Sequence, residues 1–169
     1  MGLREIWIRG GAAARAATAP RLGPYRFRGT RRTERCVLSV HAADSGSPAA
    51  EVWSLLARPD RWHEWSPYVR GTEGLGEPEV REGARGRVRL LGAPIVPATI
   101  TRVRPGHSWS WRVGPVELDH RVLPTPGGSR IEIHLGLTGA LPDLAATLAY
   151  GPICSLMARR IARVAERSR

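Results

Sequence analysis

The most regular pattern of hydrophobic and polar positions lies at the end of the chain, in residues 141–169. Apolar residues recur there at helical spacing with arginines between them, so one helix face is apolar and the other solvated. The apolar positions are Leu144, Leu148, Ile153, Leu156, Met157, Ile161 and Val164. Gly151-Pro152 interrupts the pattern and predicts a kink or break, because proline lacks the amide hydrogen. The segment therefore predicts one long, interrupted helix that needs a surface to lie on.

Upstream of residue 140 the pattern changes to the alternation typical of strands. A first strand is predicted over residues 36–41, with Leu38 and Val40 facing inward. Two short helices follow, one over residues 48–56 and one that reaches Trp65. The remaining predicted strands cover residues 69–74, 85–90, 97–103, 107–113, 116–123 and 130–137. The pattern favours an antiparallel sheet on which the last helix packs.

Two glycine-containing turns set the predicted register of three strands. Gly114-Pro115 fits a two-residue hairpin loop, which pairs Trp109 with His120. Centring the next turn on Gly127-Gly128 pairs His120 with Leu135. We therefore expect Trp109, His120 and Leu135 to form one row across the inner face of the sheet.

Composition separates the first part of the chain from the rest. Residues 1–33 alternate Arg, Gly, Ala and Pro without a sustained period and are predicted to be a basic, largely disordered extension, or a functional arm that binds a partner or an acidic surface. Residues 34–169 are predicted to form one domain. All 26 basic residues are arginine, and the chain contains no Lys, Asn or Gln, as codon bias in a GC-rich bacterial genome would produce.

The net charge of +11 is concentrated in the same region, because residues 1–35 hold nine arginines and two glutamates. The basic character is therefore mostly a property of the extension, and no nucleic-acid partner is expected. Arg85, Arg87 and Arg89 alternate along a predicted strand and indicate a solvated face or, alternatively, a surface for an acidic partner.

Cysteine and histidine spacing predicts neither a metal site nor a cofactor. Cys36 and Cys154 lie far apart, which favours a reduced, cytoplasmic protein. No pair among the five histidines has the close spacing of a zinc site. No apolar run approaches the roughly 20 residues that span a bilayer. The sequence makes no prediction of oligomeric state.

Four segments resemble a known superfamily: residues 50–56, 58–67, 119–123 and 127–130. They are similar to the START/Bet v 1-like (SRPBCC) superfamily, in particular to its polyketide cyclase/dehydrase-like branch. The resemblance runs from about residue 36 to the end of the chain. It implies an α+β helix-grip fold, in which a curved antiparallel sheet wraps around a long C-terminal helix, with two short helices after the first strand. It also implies a cavity for a small hydrophobic ligand between sheet and helix.

Tryptophans are the most prominent candidates for such a cavity. The resemblance places Trp53 and Trp62 in the helical hairpin that plugs the sheet, whereas Trp109 and Trp111 fit either the core or a ligand pocket. The predicted ligand-binding residues are Trp65, Tyr68, Val88, Thr101, Trp109, Trp111, His120, Val122, Ile133, Leu135, Ile153 and Met157.

His120 is the weak catalytic candidate, because strand alternation places its imidazole on the inner face. It is either a core histidine or an acid/base group acting with Tyr68 or Thr101. The leading hypothesis is binding of a small hydrophobic molecule, lipid-like or aromatic and polyketide-like. The alternatives are a polyketide cyclase or dehydratase, and a regulatory or chaperone-like interaction domain contacted through the basic extension.

Overall fold

A computed structural model describes residues 37–92, 94–137 and 143–168, with side chains described except at 37, 38 and 143–148. Seven strands form one antiparallel sheet in the order β1-β7-β6-β5-β4-β3-β2. The strands are β1 (Val37–Ser45), β2 (Val69–Glu73), β3 (Arg85–Leu90), β4 (Ile95–Arg104), β5 (Ser108–Val113), β6 (Val116–Thr125) and β7 (Gly128–Leu137). The helices are α1 (Ala49–Leu56), α2 (Trp62–Trp65), which follows a 3-10 turn over Pro59–Arg61, and α3 (Asp143–Arg167). This curved sheet with its C-terminal helix confirms the predicted fold.

Helix α3 packs on the inner face of the sheet, mainly over β1 and β7. The inner face of β1 suits this contact because small side chains let the helix backbone approach. Ser45 Oγ donates to the Ala162 carbonyl at 3.3 Å, and the Gly46 amide donates to Glu166 Oε1 at 2.9 Å. Among the described helices, none combines the length and hydropathy needed to cross a membrane.

The predicted inward face of β1 is wrong. His41, not Val40, points toward α3, because His41 Nδ1 lies 2.7 Å from Ser155 Oγ while Val40 pairs with His134 on the outward face. The Leu38 side chain lies outside the described residues. The side chains of β1 that face α3 are small or form hydrogen bonds. The prediction placed the more apolar alternate residues on this face and was therefore wrong.

Of the predicted kink or break in the last helix, the break is wrong, since α3 continues through Pro152, and the kink stays a prediction. Proline inside a helix costs about 3 kcal/mol relative to alanine, and the part of α3 that follows it is packed into the core through Cys154, Ala158 and Ile161. Pro152 is exposed, whereas Gly151 is buried against His41. A Cβ at Gly151 would lie 3.3 Å from the imidazole Cε1, so glycine suits this close approach.

The first predicted hairpin is confirmed and the second is wrong by two residues. Gly114 has φ +58° in the loop, and Trp109 pairs with His120. In the next hairpin Thr125 pairs with Gly128, so His120 faces Ile133 and not Leu135. Gly128 has φ +148°, and a Cβ there would come 2.2 Å from the Ser45 carbonyl, so both its backbone conformation and the close passage of β1 favour glycine. A shift of two keeps the same residues inward, since alternate side chains share a face.

Candidate functional site

The centre of the inner face is a cluster of five aromatic rings, which we call the aromatic cluster: Trp62 and Trp65 from α2, Trp109 and Trp111 from β5, and His120 from β6. Trp62 stacks on Trp109 with centroids 4.7 Å apart and planes 5° apart. Trp109 in turn stacks on His120 at 4.1 Å and 14°. Three rings therefore form one continuous stack from α2 to β6.

The other two rings close the sides of this stack. Trp111 stands edge-on to Trp62, at 5.0 Å and 77°. Trp65 lies edge-on to His120, at 6.0 Å and 60°. Each of the five side chains is at most 7% exposed. Edge-to-face and offset contacts of this kind are the favoured geometries of aromatic pairs.

Local sequence explains how these rings meet. Alternation in Ser108–Val113 sends Trp109 and Trp111 to the inner face. On the opposing side, Trp62 Nε1 donates to the Leu56 carbonyl at 2.8 Å and Trp65 Nε1 donates to the Leu55 carbonyl at 3.3 Å. The end of α1 thus anchors both indoles of α2 and directs their rings onto the sheet.

The sheet side of the aromatic cluster is polar but unpartnered. Trp109 Nε1, Trp111 Nε1 and both ring nitrogens of His120 are buried and find no hydrogen-bond partner among the described residues. Leaving a buried polar group unpaired costs about 1–3 kcal/mol. These four atoms lie on three adjacent rings, so the unpaired polar atoms of the described core are concentrated here.

His120 is neutral because of its burial. Loss of hydration lowers the pKa of its imidazole from 6.5 to about 3. The main chain of Trp109 acts in the opposite direction and raises the pKa of His120, but by less than burial lowers it. Its geometry relative to the His120 ring nitrogens does not meet the criteria of a hydrogen bond. A neutral imidazole offers one donor and one acceptor.

Most of the other predicted lining residues reach the inner side of the sheet. Val88, Val122, Ile133 and Leu135 are fully buried in the same core. Met157 of α3 is 7% exposed, and Ile153 packs against the core while half-buried. These apolar candidates therefore belong to, or pack against, the same core that contains the rings.

The two polar partners predicted for His120 lie elsewhere, and this part of the prediction is wrong. Tyr68 is 38% exposed in the connection between α2 and β2. Thr101 Oγ1 donates to Glu117 Oε1 at 3.1 Å on the outward face. The register shifts between Ile100 and Arg102, a β-bulge that simple alternation does not anticipate.

Sequence reasoning assigned Trp62 to the core and missed its place in the stack. Its spacing of three residues from Trp65 was the available signal, because residues three apart share a helix face. The bridge from Ser39 Oγ through His41 to Ser155 Oγ, with distances of 2.9 and 2.7 Å, was also missed. No spacing in the sequence links His41 to Ser155, since they are 114 residues apart.

Two surface clefts of about 540 and 470 Å³ lie away from this cluster, along the loop between β2 and β3. Both are lined by Gly74, Gly76, Glu77 and Pro78, and by none of the predicted ligand-binding residues. Within the described residues, no group of three or more His, Cys, Asp or Glu side chains is placed to hold a metal ion.

A curved antiparallel sheet that grips a C-terminal helix defines the helix-grip class, the START/Bet v 1-like superfamily. Residues 23–168 match the family described as polyketide cyclase / dehydrase and lipid transport. Because the match spans most of the chain, the protein belongs to that family. No curated sequence is detectably similar to this chain.

Solved structures show the same fold at low sequence identity. Protein MLL2253 from Mesorhizobium loti is 17% identical with a TM-score of 0.60, over 77% of this chain and 97% of that chain. Ara h 8.0201 is 13% identical with a TM-score of 0.55, over 75% and 95%. DynU16, from the dynemicin biosynthetic locus, is 18% identical with a TM-score of 0.59; the match covers 77% of this chain and 47% of that one.

Proposed function

We propose that this protein binds a small hydrophobic ligand between the sheet and the helices α2 and α3, and that the ligand is aromatic and carries hydrogen-bond acceptors. The observation that carries the proposal is the set of buried, unpartnered indole N–H groups on Trp109 and Trp111 beside neutral His120. Membership of a family described by cyclase, dehydrase and lipid-transport functions supports ligand binding in general.

The chemistry of the three rings selects the ligand class. Indole N–H groups only donate, so their complement is a carbonyl, phenolic or carboxylate oxygen. A fatty acid could pair these donors only through its carboxylate, and its saturated chain would gain nothing from stacking. A flat ring bearing oxygen can satisfy the N–H groups while it stacks on the indoles. Of the two ligand types predicted from the sequence, the cluster favours the aromatic, polyketide-like one.

Binding requires rearrangement of the aromatic cluster, because Trp62 stacks directly on Trp109. The mobile partner in our proposal is α2, a four-residue helix between a 3-10 turn and β2. Shifting α2 separates the Trp62 ring from Trp109 and admits a planar ligand in its place. Ligand binding should therefore change tryptophan fluorescence.

The proposal is tested by titrating the protein with 2-naphthol, naphthalene and lauric acid and comparing their affinities. Tryptophan fluorescence reports the binding of each probe. We expect 2-naphthol to bind more tightly than the other two probes. Trp109→Phe keeps an aromatic ring but removes the donor, so it should weaken 2-naphthol binding by about tenfold. Naphthalene binding should change much less, since naphthalene accepts no hydrogen bond.

Trp53→Phe is the matched control, because Trp53 is also a buried indole but belongs to α1. It should leave 2-naphthol affinity within about twofold of the unmodified protein. Native mass spectrometry of freshly purified protein supplies an independent readout through a co-purified aromatic compound. Failure of every probe to bind, together with no co-purified molecule, would refute the proposal.

The cyclase or dehydratase alternative gains no support from the geometry around His120. An acid/base catalyst works best with a pKa near the operating pH, whereas burial lowers the pKa of His120 to about 3. Tyr68 and Thr101 do not share its environment. The interaction-domain alternative rested on residues 1–33, which lie outside the described residues.

A further inference from the structure

The outward face of the sheet carries a group of arginines that the ligand site does not use. They occupy outward positions on three adjacent strands, β3, β4 and β5, and five of the six are exposed. We call them the arginine stripe: Arg85, Arg87, Arg89, Arg102, Arg104 and Arg112. The sequence predicted only the β3 members, as a solvated face or a surface for an acidic partner.

Strand register joins these arginines into one surface. Arg89 lies beside Ile95 near one end of β4, and Arg104 lies at the other end of that strand. The β4 bulge at Thr101 turns Arg102 and Arg104 to the same face as Arg85. At about 3.3 Å per residue, the stripe is roughly 26 Å long.

Little within the described structure neutralises the stripe. Arg87 has an ion pair with Glu73, at 3.8 Å between two largely exposed side chains. Among the described residues, the other five arginines form no ion pair, although Glu117 of β6 lies opposite Arg112 on the outward face and accepts a hydrogen bond from Thr101. Glu82 is near one end of the stripe, where its Oε2 accepts the Val103 amide at 2.9 Å. Six close positive charges repel one another, so their placement does not serve the stability of the sheet.

The neighbouring strands differ sharply. On the outward face of β6 and β7, Arg121 pairs with Asp119 at 2.7 Å, and Arg130 pairs with Asp44 of β1 at 3.1 Å. Glu132 is also present there and bonds His134 at 2.8 Å. The outward face is therefore divided into a half where arginines and carboxylates are paired and a half where arginines outnumber the nearby carboxylates.

We propose that the arginine stripe docks an acidic surface of a partner protein. Guanidinium groups bind carboxylates through paired hydrogen bonds, and complementary charge sets orientation and association rate. A nucleic acid fits less well, because its uniformly anionic backbone would overhang the carboxylates of β6 and β7. No aromatic side chain occupies an outward position of β3, β4 or β5 to stack with bases, and the chain has no Asn or Gln for base recognition.

The test compares two probes of equal charge on the full-length protein: an octaglutamate peptide and a single-stranded oligothymidylate with the same number of negative charges. The affinity of each is measured by calorimetry, and the contact surface is mapped by NMR amide shifts. We expect octaglutamate to perturb β3, β4 and β5. The triple variant Arg85→Gln, Arg87→Gln, Arg89→Gln should lose affinity for octaglutamate by about tenfold or more.

The matched control removes the same charge from α3 through Arg159→Gln, Arg163→Gln and Arg167→Gln, all at exposed positions. Its octaglutamate affinity should stay within about twofold of the unmodified protein. Equal losses in the two variants would show that only net charge matters and would overturn the proposal. Absence of octaglutamate binding, or tighter binding of oligothymidylate to the stripe, would equally contradict the proposal that the partner is a protein.

Discussion

The burial of His120 makes the stability of the protein depend on pH in a defined direction. Its pKa is about 3 in the folded protein, against 6.5 for a free imidazole. Between these values the unfolded chain binds the proton and the folded protein does not. Unfolding is therefore favoured as pH falls below 6.5, by up to about 1.4 kcal/mol per pH unit, and the effect levels off near pH 3.

Urea denaturation at several values between pH 7 and pH 4 measures this dependence. In His120→Leu the dependence should become shallower, because the residue that titrates on unfolding is gone. His63→Leu, at an exposed position on α2, is the control and should keep the slope of the unmodified protein. An unchanged slope in His120→Leu would contradict the assignment of His120 as a buried neutral imidazole.

At the scale of the element, α3 shows how packing overrides a local helix breaker. Pro152 is exposed and contributes no amide hydrogen, so Pro152→Ala should restore a helical hydrogen bond. We expect the free energy of unfolding to rise by about 1–3 kcal/mol, measured by urea denaturation. A decrease in stability would contradict this account and would mean that the proline fixes a bend that the packing needs.

Gly151→Ala is the informative comparison, because the two positions are adjacent but face opposite environments. Alanine gains about 1 kcal/mol in helix propensity over glycine, but its Cβ would press on His41 at 3.3 Å. We therefore expect a smaller gain than in Pro152→Ala, or a loss. If α3 also gates ligand entry, Pro152→Ala should slow exchange of 2-naphthol.

At the scale of the molecule, the extent of the domain is a prediction from sequence pattern. Residues 1–33 have no periodic apolar face, so their deletion should leave the melting temperature within about 2 °C. Circular dichroism during heating measures this change. Deletion of residues 1–22 is the comparison, because the family match begins at residue 23. A large drop confined to the longer deletion would assign residues 23–33 to the domain.

The arginine stripe and the aromatic cluster lie on opposite faces of one sheet. Alternate residues of the same strand therefore contribute to the two surfaces. Within β5, Trp109 and Trp111 face the cluster while Arg112 faces the stripe. The proposed ligand site and docking surface are therefore only one strand thickness apart. The cytoplasmic location stays a prediction.

The sequence by itself determined those features whose cause is local. The alternation of Trp109 and Trp111 put both rings on one face, because adjacent strand residues point oppositely. Gly114-Pro115 fixed the register between β5 and β6, since a two-residue loop admits few geometries. The period of residues 143–167 gave a long helix, and the segments resembling the superfamily gave the fold.

The tertiary structure alone decided features that depend on what lies opposite a residue. His41 lies against α3, which covers β1, and Gly128 has room for no Cβ because the Ser45 carbonyl would be 2.2 Å away. Thr101 turns outward at a bulge, and α3 continues through Pro152 because packing outweighs the local cost. In each case the deciding contact joins residues distant in sequence, so no local pattern records it.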